Sequence, residues 1–400
     1  MPGRHAILAA VLAGALSVGA APGARAADGS PPNTASADPA TNLAAYHALF
    51  GIGMLQGGRP GPSLTTGWTL HYRGAVPHAA FAYALDAQGR ARWSFVSGRP
   101  SVEDARARAL SGCTRGLAAA GLDPAGGAAA CRVLAVDGTV EGRGGGPSFP
   151  PRGETIGPFR AAPLMFRYGP AAARGAVVWG HGYGGPARDL RATPLPGFLA
   201  VLNDAGWDVL RFDRDPAEDA IFRSQPLLVR GLAALREAGY RRVVLGGQSR
   251  GGWQALLAAA ERPELVDAVI ATAPAAHGSA EQPNNHAAAL EDFRRVLAGL
   301  PEDGRVRLGV VLFEGDPFDP GPAERAAIMA DLARRRAAPT LAIWPGAAGG
   351  REGAPAEIRG HAGAQDWRFT RYYAGCLLTL VQAPPAAVAR GVRREPCGGG

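Results

Sequence analysis

The sequence from about residue 158 onward alternates between apolar strands and amphipathic helices, and this alternation constrains the fold more than any other feature. Strands rich in Val, Ile, Leu and Ala are predicted at 176–179, 207–212, 242–246, 268–273, 306–313 and 340–344. Helices are predicted between and after them at 198–205, 226–238, 253–261, 323–336 and 367–380. Strands without polar alternation are buried on both faces, and the helices between them make parallel crossovers. We therefore expect an α/β domain with a mostly parallel central sheet and helices on both faces.

A smaller unit precedes this domain, over residues 70–141. Two alternating strands, a helix that Ser101 caps and a closing strand are predicted in it, so we expect a small α+β module. Residues 142–157 are rich in Gly and Pro and are predicted to be a linker without helix or strand. The α/β domain then occupies residues 158–400.

The amino terminus has the pattern of a signal peptide. Arg4 precedes an apolar run at 6–21, and Ala-Arg-Ala at 24–26 fits a cleavage site, so residues 1–26 are predicted to be removed. Residues 27–69 are predicted to be a flexible leader. No later stretch is long and apolar enough to span a bilayer. We therefore expect a secreted or periplasmic protein without stable membrane insertion.

Export changes the interpretation of the four cysteines. An even number in an oxidising compartment favours disulfides, and spacing favours Cys113 with Cys131 and Cys376 with Cys397 among three connectivities. The alternative for Cys376 is that it is only a buried apolar residue. Neither C-x-x-C nor H-E-x-x-H occurs, so no metal site is predicted.

The charge pattern does not favour a nucleic-acid partner. The chain has 42 basic and 34 acidic residues, a formal charge of +8, and every basic residue is Arg. The arginines are scattered, with the longest run at 334–336, whereas a nucleic-acid surface clusters its positive charge.

The strongest chemical signal is the sequence Gly-Gln-Ser-Arg-Gly at 247–251. It lies between a predicted strand and a predicted helix, which is the context that a nucleophile elbow requires. A turn this tight needs small neighbours, which explains Gly247 and Gly251. It lifts the Ser249 hydroxyl above the sheet at a helix amino terminus, where developing negative charge is favoured.

A second signal follows the strand at 176–179. The glycine-rich segment 180–185 is placed where a loop can direct backbone N–H groups at a carbonyl oxygen that becomes negative during acyl transfer. We assign the two donors to the backbone N–H groups of Tyr183 and Arg250. His181 is interpreted as packing under this loop rather than as a base.

With these motifs the chain resembles the α/β-hydrolase superfamily over about residues 158–382. The resemblance rests on His-Gly-Tyr-Gly-Gly at 181–185, on Gly-Gln-Ser-Arg-Gly at 247–251, and on an acid and a His that follow the Ser. It implies a Ser–His–Asp triad that works through an acyl-enzyme, without a cofactor. It names no substrate, because this fold hosts many chemistries.

The resemblance places the base on a loop late in the chain. His361 is the only His beyond His286, and Gly on both sides of it allows a loop that reaches Ser249. The acid belongs on the loop after the strand at 306–313, where Asp316 and Asp319 stand three residues apart. In the superfamily the acid is often followed by Pro and an apolar residue, which favours Asp316, while Asp319 remains the alternative.

Three functions are compatible with these residues. The first is an exported serine hydrolase that cleaves a small-molecule carboxylic ester. The second is a peptidase or acyltransferase on the same scaffold, and the third is a non-catalytic binding protein on a hydrolase scaffold. Natural substrate and oligomeric state are not specified by the sequence.

Overall fold

The structure is a computed structural model. It describes residues 44, 46–47, 49–50, 64, 67–72, 78–85, 91–122, 130–142, 149–151, 153–163, 165–191, 193–276, 286–303, 305–319, 321–346 and 358–397. These residues belong to one compact unit, 36–400. The predicted signal peptide, 1–26, and the first part of the predicted leader lie outside the described residues.

The amino-terminal part forms a small antiparallel sheet with one helix. Its elements are β1 (Ala80–Leu85), β2 (Ala91–Val96), α1 (Val102–Ala119), β3 (Arg132–Val136) and β4 (Thr139–Val140), and the sheet order is β2-β1-β3-β4. Helix α1 begins after Ser101 because the Ser101 hydroxyl accepts the Asp104 N–H at 3.2 Å. A disulfide joins Cys113 of α1 to Cys131, with their Cα atoms 6.0 Å apart. This arrangement matches the α+β module expected from the sequence.

The predicted leader, 27–69, extends too far along the chain. Several of its described residues are buried in an aromatic core that also contains Phe81 and Phe166. The buried leader residues are Tyr46, Leu49, Phe50, Leu64 and Trp68. The polar, Pro-interrupted composition that suggests a leader applies only to residues 27–42. The aromatic side chains that follow bury large apolar areas, so this part of the chain packs.

The larger sheet has nine strands. They are β5 (Thr155–Ile156), β6 (Phe159–Ala161), β7 (Gly175–Gly180), β8 (Trp207–Phe212), β9 (Val243–Gln248), β10 (Ala268–Thr272), β11 (Arg307–Val311), β12 (Thr340–Ile343) and β13 (Gly391–Arg393). The order is β13-β12-β11-β10-β9-β7-β8-β6-β5, and only the pairs that involve β5 and β6 are antiparallel. Strand β5 lies inside the predicted linker 142–157, which is therefore wrong in its last residues. Thr155 pairs with Arg160 across a tight turn, so the sheet begins before residue 158.

Helices cover both faces of the nine-stranded sheet. They are α2 (Phe198–Asp204), α3 (Ile221–Glu237), α4 (Arg250–Glu261), α5 (His286–Ala298), α6 (Pro322–Arg335) and α7 (Trp367–Gln382). Helices α3 to α6 pack into the core on one face, and α2 and α7 pack into the core on the other. The predicted α/β-hydrolase fold class, a mostly parallel sheet with helices on both faces, is confirmed. None of the helices in the described ranges is long and apolar enough to cross a membrane.

The sheet order determines where a site can form. Strand β7 lies between β8 and β9. The chain therefore passes from β7 to β8 on one side of β7, and then crosses to β9 on its other side. The crevice at the carboxyl ends of such neighbouring strands is the place where open α/β sheets bind ligands. The loop at 181–185, Arg214 and Ser249 all follow these three strands directly.

The aromatic core of the amino-terminal part, which includes Phe81 of the module, extends to Phe166 of the α/β domain. The Phe166 ring is 2% exposed and lies 5.6 Å from Tyr46 and 5.1 Å from Phe149, centroid to centroid. We expect Phe166→Ala to lower the free energy of unfolding by about 3–5 kcal/mol, measured by urea denaturation, because it opens a cavity between the two parts. Phe222, which is 76% exposed, is the control, and Phe222→Ala should change stability by no more than about 0.5 kcal/mol. Equal effects of the two substitutions would contradict this packing.

Candidate active site

Ser249 occupies a strained turn between β9 and α4. Its φ is 57° and its ψ is −123°, a region that residues with a side chain rarely adopt. The backbone is held there because the Ser249 N–H donates to the Thr272 carbonyl at 3.0 Å and the Trp253 N–H donates to the Ser249 carbonyl at 2.9 Å. The Ser249 side chain makes no capping hydrogen bond to α4, so its hydroxyl is not engaged by the helix.

The glycines around Ser249 are required by close backbone contacts. A Cβ atom on Gly247 would lie 2.3 Å from the Gly251 carbonyl carbon, and one on Gly251 would lie 2.2 Å from the Gly180 oxygen. Any side chain at these two positions would push α4 away from β7 and β9. The sequence predicts small residues at these positions for this steric reason. The close approach of the backbones also brings the loop after β7 against Ser249. At Gly182 of that loop, a Cβ would lie 3.4 Å from the Ser249 Cβ.

His361 and Asp316 are in direct contact. The His361 Nδ1 atom lies 2.9 Å from both carboxylate oxygens of Asp316, whose side chain is 1% exposed. The loop reaches this position because the Gly360 N–H donates to the Glu314 carbonyl at 2.8 Å, just beyond β11. On its other side, the Gln248 amide donates to the His361 carbonyl at 2.9 Å, which ties the loop to the residue before Ser249.

The ring of Phe318 packs against the imidazole of His361, with centroids 4.5 Å apart. The Phe318 N–H also donates to the Asp316 carboxylate at 2.8 Å. These contacts hold the imidazole and its carboxylate partner in one orientation. The carboxylate therefore favours the tautomer in which Nδ1 carries the proton and Nε2 is free to accept one.

Asp319 faces a different partner. One of its oxygens lies 3.2 Å from Arg325 Nε, and both side chains are buried. Burial raises the pKa of Asp319, while the nearby Arg325 guanidinium opposes that rise. Arg325 also donates to the Pro274 carbonyl at 2.5 Å, so the pair connects the turn after β11 with the segment after β10.

His181 is buried under the loop after β7, and both of its ring nitrogens are engaged. The Arg214 backbone N–H donates to Nε2 at 2.9 Å, so Nδ1 carries the proton and donates to the Gly182 carbonyl at 2.7 Å. Burial, and then the Arg214 guanidinium, lower the pKa of His181. A neutral ring with both nitrogens occupied positions the loop and has no free nitrogen with which to act as a base.

A charged group that the sequence analysis did not single out lies behind the same loop. Arg214 donates through Nη2 to the carbonyls of His181 at 2.5 Å and Gly182 at 3.0 Å. Its Nε donates to Asp219 at 2.5 Å, and both side chains are buried. The sequence signal was present, since Arg214 and Asp219 closely follow a parallel strand at its carboxyl end, where ligand sites form.

The residues assigned as oxyanion donors lie side by side. The Arg250 guanidinium carbon is 3.5 Å from the centre of the Tyr183 ring, a cation–π contact. Arg250 Nη1 donates to the Asp219 carbonyl at 2.5 Å.

A second disulfide, between Cys376 and Cys397, attaches the carboxyl-terminal segment to α7, with Cα atoms 5.4 Å apart. Within the described ranges, no group of three or more His, Cys, Asp or Glu side chains is arranged to hold a metal ion.

Comparisons with known proteins add little beyond the fold. No protein-family model matches the chain, and no curated protein matches it in sequence. A CIB-like hydrolase from Thermoplasma acidophilum is 17% identical over 59% of this chain and 100% of its own, with a TM-score of 0.37. Dienelactone hydrolase from Anabaena variabilis is 21% identical over 50% of this chain and 85% of its own, with a TM-score of 0.34. Est1E from Butyrivibrio proteoclasticus, solved with ferulic acid bound, is 16% identical over 42% and 79%, with a TM-score of 0.29. Similarities this weak identify neither a reaction nor a substrate.

The neutral state of His181 predicts a pH dependence of stability. Its pKa is below 6.5 in the folded chain and about 6.5 in the unfolded chain, so the unfolded state takes up the proton first as the pH falls. The full contribution of neutral His181 to the free energy of unfolding is present above about pH 6.5. Below it, wild type should lose up to about 1.4 kcal/mol of unfolding free energy per pH unit relative to His181→Gln. Urea denaturation of both proteins at about pH 7 and about pH 5.5 measures this, and equal losses in the two would contradict it.

Proposed function

We propose that this chain, which has the α/β-hydrolase fold, is an exported serine hydrolase that cleaves a small-molecule carboxylic ester. The observation that carries the proposal is the juxtaposition of two features at one end of the sheet. Ser249 occupies a strained turn with φ of 57°, and Gln248, the residue before it, donates to the carbonyl of His361, whose Nδ1 lies 2.9 Å from the buried Asp316. Strain of this kind persists where the surrounding structure enforces it, and it concentrates at functional sites.

The proposed reaction begins with attack of Ser249 Oγ on the carbonyl carbon of the ester. His361 Nε2 accepts the hydroxyl proton and then donates it to the leaving alcohol, which departs as an acyl-enzyme forms. Water attacks the acyl-enzyme in the second half; His361 takes its proton and returns it to Ser249 Oγ as the bond to the acyl group breaks and the carboxylic acid is released. Asp316 keeps the imidazole in the productive tautomer and stabilises the imidazolium. No cofactor enters this scheme.

The negative charge on the tetrahedral intermediate needs hydrogen-bond donors that are already in place. We propose that the backbone N–H groups of Tyr183 and Arg250 supply them. Arg250 directly follows Ser249 at the first turn of α4, where the helix dipole also favours an anion. The proximity of Gly182 to Ser249, whose Cβ would lie 3.4 Å from a Cβ on Gly182, supports this role for Tyr183, the next residue in the loop.

A peptidase or an acyltransferase would use the same residues, because the leaving group and the acceptor are chosen by the substrate pocket and not by the triad. A non-catalytic binding protein would not need a buried carboxylate directed at the Nδ1 atom of a histidine. Export is supported by the amino-terminal sequence and by the two disulfides, which persist in oxidising compartments.

One prediction of this proposal concerns the nucleophile. Wild-type protein should react with a fluorophosphonate probe and hydrolyse p-nitrophenyl esters, while Ser249→Ala should lose labelling and at least about 10³-fold in kcat, because the attacking oxygen is gone. Gel fluorescence and absorbance assays measure the two effects. Ser224→Ala is the matched control, since Ser224 is buried in α3 and its hydroxyl donates to a backbone carbonyl. Equal labelling of wild type and Ser249→Ala would overturn the assignment.

Another prediction separates the two acids. Asp316→Asn should lower kcat by about 10⁴-fold, because the amide no longer holds the His361 tautomer. Asp319→Asn should chiefly lower stability, because it leaves Arg325 buried without its charge partner. Steady-state kinetics with each variant, normalised by active-site titration, gives the comparison. The choice of Asp316 is wrong if Asp319→Asn is the inactive protein and Asp316→Asn is not.

A further inference from the structure

The peptide group between Gly182 and Tyr183 is held from its carbonyl side. A trans peptide points its C=O and its N–H in opposite directions, so fixing the Gly182 oxygen also fixes the direction of the Tyr183 N–H. Two donors reach that oxygen, His181 Nδ1 at 2.7 Å and Arg214 Nη2 at 3.0 Å. The same Arg214 nitrogen donates to the preceding carbonyl, that of His181, at 2.5 Å.

The donor that acts on this peptide is a buried cation in a defined position. The side chain of Arg214 is 1% exposed, and its Nε lies 2.5 Å from an Asp219 oxygen. A guanidinium paired in this way retains its charge and its planar geometry. The Phe212 ring lies against the Arg214 guanidinium, with 5.8 Å between the guanidinium carbon and the ring centre, and covers another side of this group.

The other proposed donor residue is attached to the same short segment. Arg250 Nη1 donates to the Asp219 carbonyl, and its guanidinium packs on the Tyr183 ring. Residues 214–219 therefore make hydrogen bonds both to the Gly182–Tyr183 peptide, through its carbonyl oxygen, and to the side chain of Arg250.

We propose that Arg214 is a positioning residue for the oxyanion site, which orients the Gly182–Tyr183 peptide and polarises it through a charge-assisted hydrogen bond to its oxygen. Hydrogen bonds in a chain polarise one another, so a cation on the C=O side makes the N–H on the other side a stronger donor. This inference rests on the proposed function. In this proposal Arg214 acts on the reacting atoms through this peptide and does not touch them.

The inference predicts a loss that is selective for the transition state. Arg214→Gln removes the positive charge. Arg214→Lys keeps the charge but lacks the planar guanidinium with its fixed N–H donors. We expect kcat to fall by about 10²-fold in Arg214→Gln, the lower end for loss of one oxyanion donor, with KM unchanged within about twofold. Arg214→Lys should recover part of the loss. Affinity for a trifluoromethyl ketone, whose adduct places an oxyanion in the site, should fall in parallel with kcat/KM.

Arg336 provides the matched control. It is equally buried and donates to the Val306 carbonyl at 2.7 Å and to Thr340 Oγ1 at 2.9 Å, at the amino-terminal end of β11 and β12 and therefore far from the site. Arg336→Gln should lower the midpoint of thermal unfolding and leave kcat unchanged. All rates are divided by the concentration of fluorophosphonate-reactive sites, so misfolded protein does not contribute.

The outcomes are distinct. The inference is overturned if Arg214→Gln keeps kcat within about twofold of wild type, or if ketone affinity does not follow kcat/KM across the Arg214 variants. If Arg214→Gln does not fold, Arg214→Lys decides, since full wild-type kcat without the guanidinium would contradict the orienting role. Failure of the proposed function itself is recognised separately, because wild-type protein would then neither react with the probe nor hydrolyse an ester.

Discussion

The site depends on a contact between two stretches of backbone at the carboxyl end of the sheet. Gly180 ends β7 and Gly251 lies in the first turn of α4, and the distance between them leaves no room for a Cβ atom. This approach allows α4 to begin directly against β7 and forces Ser249 into a turn with positive φ. The positions of the serine and of the loop at 181–185 are therefore set by one packing constraint.

Buried charges then hold the loops that surround this contact. Three carboxylates each have a separate partner: Asp316 with His361, Asp319 with Arg325, and Asp219 with Arg214. Removing one member of a buried ion pair costs about 3–5 kcal/mol, so each of the two Asp–Arg pairs strongly selects the loop conformation that forms it. The Asp316–His361 hydrogen bond joins a third loop to this arrangement.

Much of this arrangement follows from local sequence rules. Unbroken apolar strands predict the parallel sheet, and the glycines on either side of Ser249 predict the tight turn, because both depend on residues that are close in the chain. The sequence predicts that α3 starts at residue 226, but the helix begins at Ile221 and includes Pro226. Pro226 cannot donate the usual helical hydrogen bond. The first turns of this helix are largely exposed and tolerate the loss of that bond.

Other parts depend on long-range packing and were not predictable in the same way. The choice between Asp316 and Asp319 depends on the path of a short turn, and two acids three residues apart look alike in a sequence. Arg214 contacts a histidine 33 positions earlier, which no local pattern specifies. The predicted leader and linker contain residues that pack only because the aromatic side chains of both parts meet around Phe166.

The central claim is that Ser249 becomes covalently acylated during turnover, and rapid quenching tests it most directly. Wild-type protein mixed with a p-nitrophenyl ester should release about one equivalent of p-nitrophenol in a burst, as expected for accumulation of an acyl-enzyme. Trypsin cleaves after Arg242 and Arg250, so the acyl group should appear on the peptide 243–250, in which Ser249 is the only nucleophilic side chain. An acyl group found on another peptide, or turnover that persists in Ser249→Ala, would contradict the account.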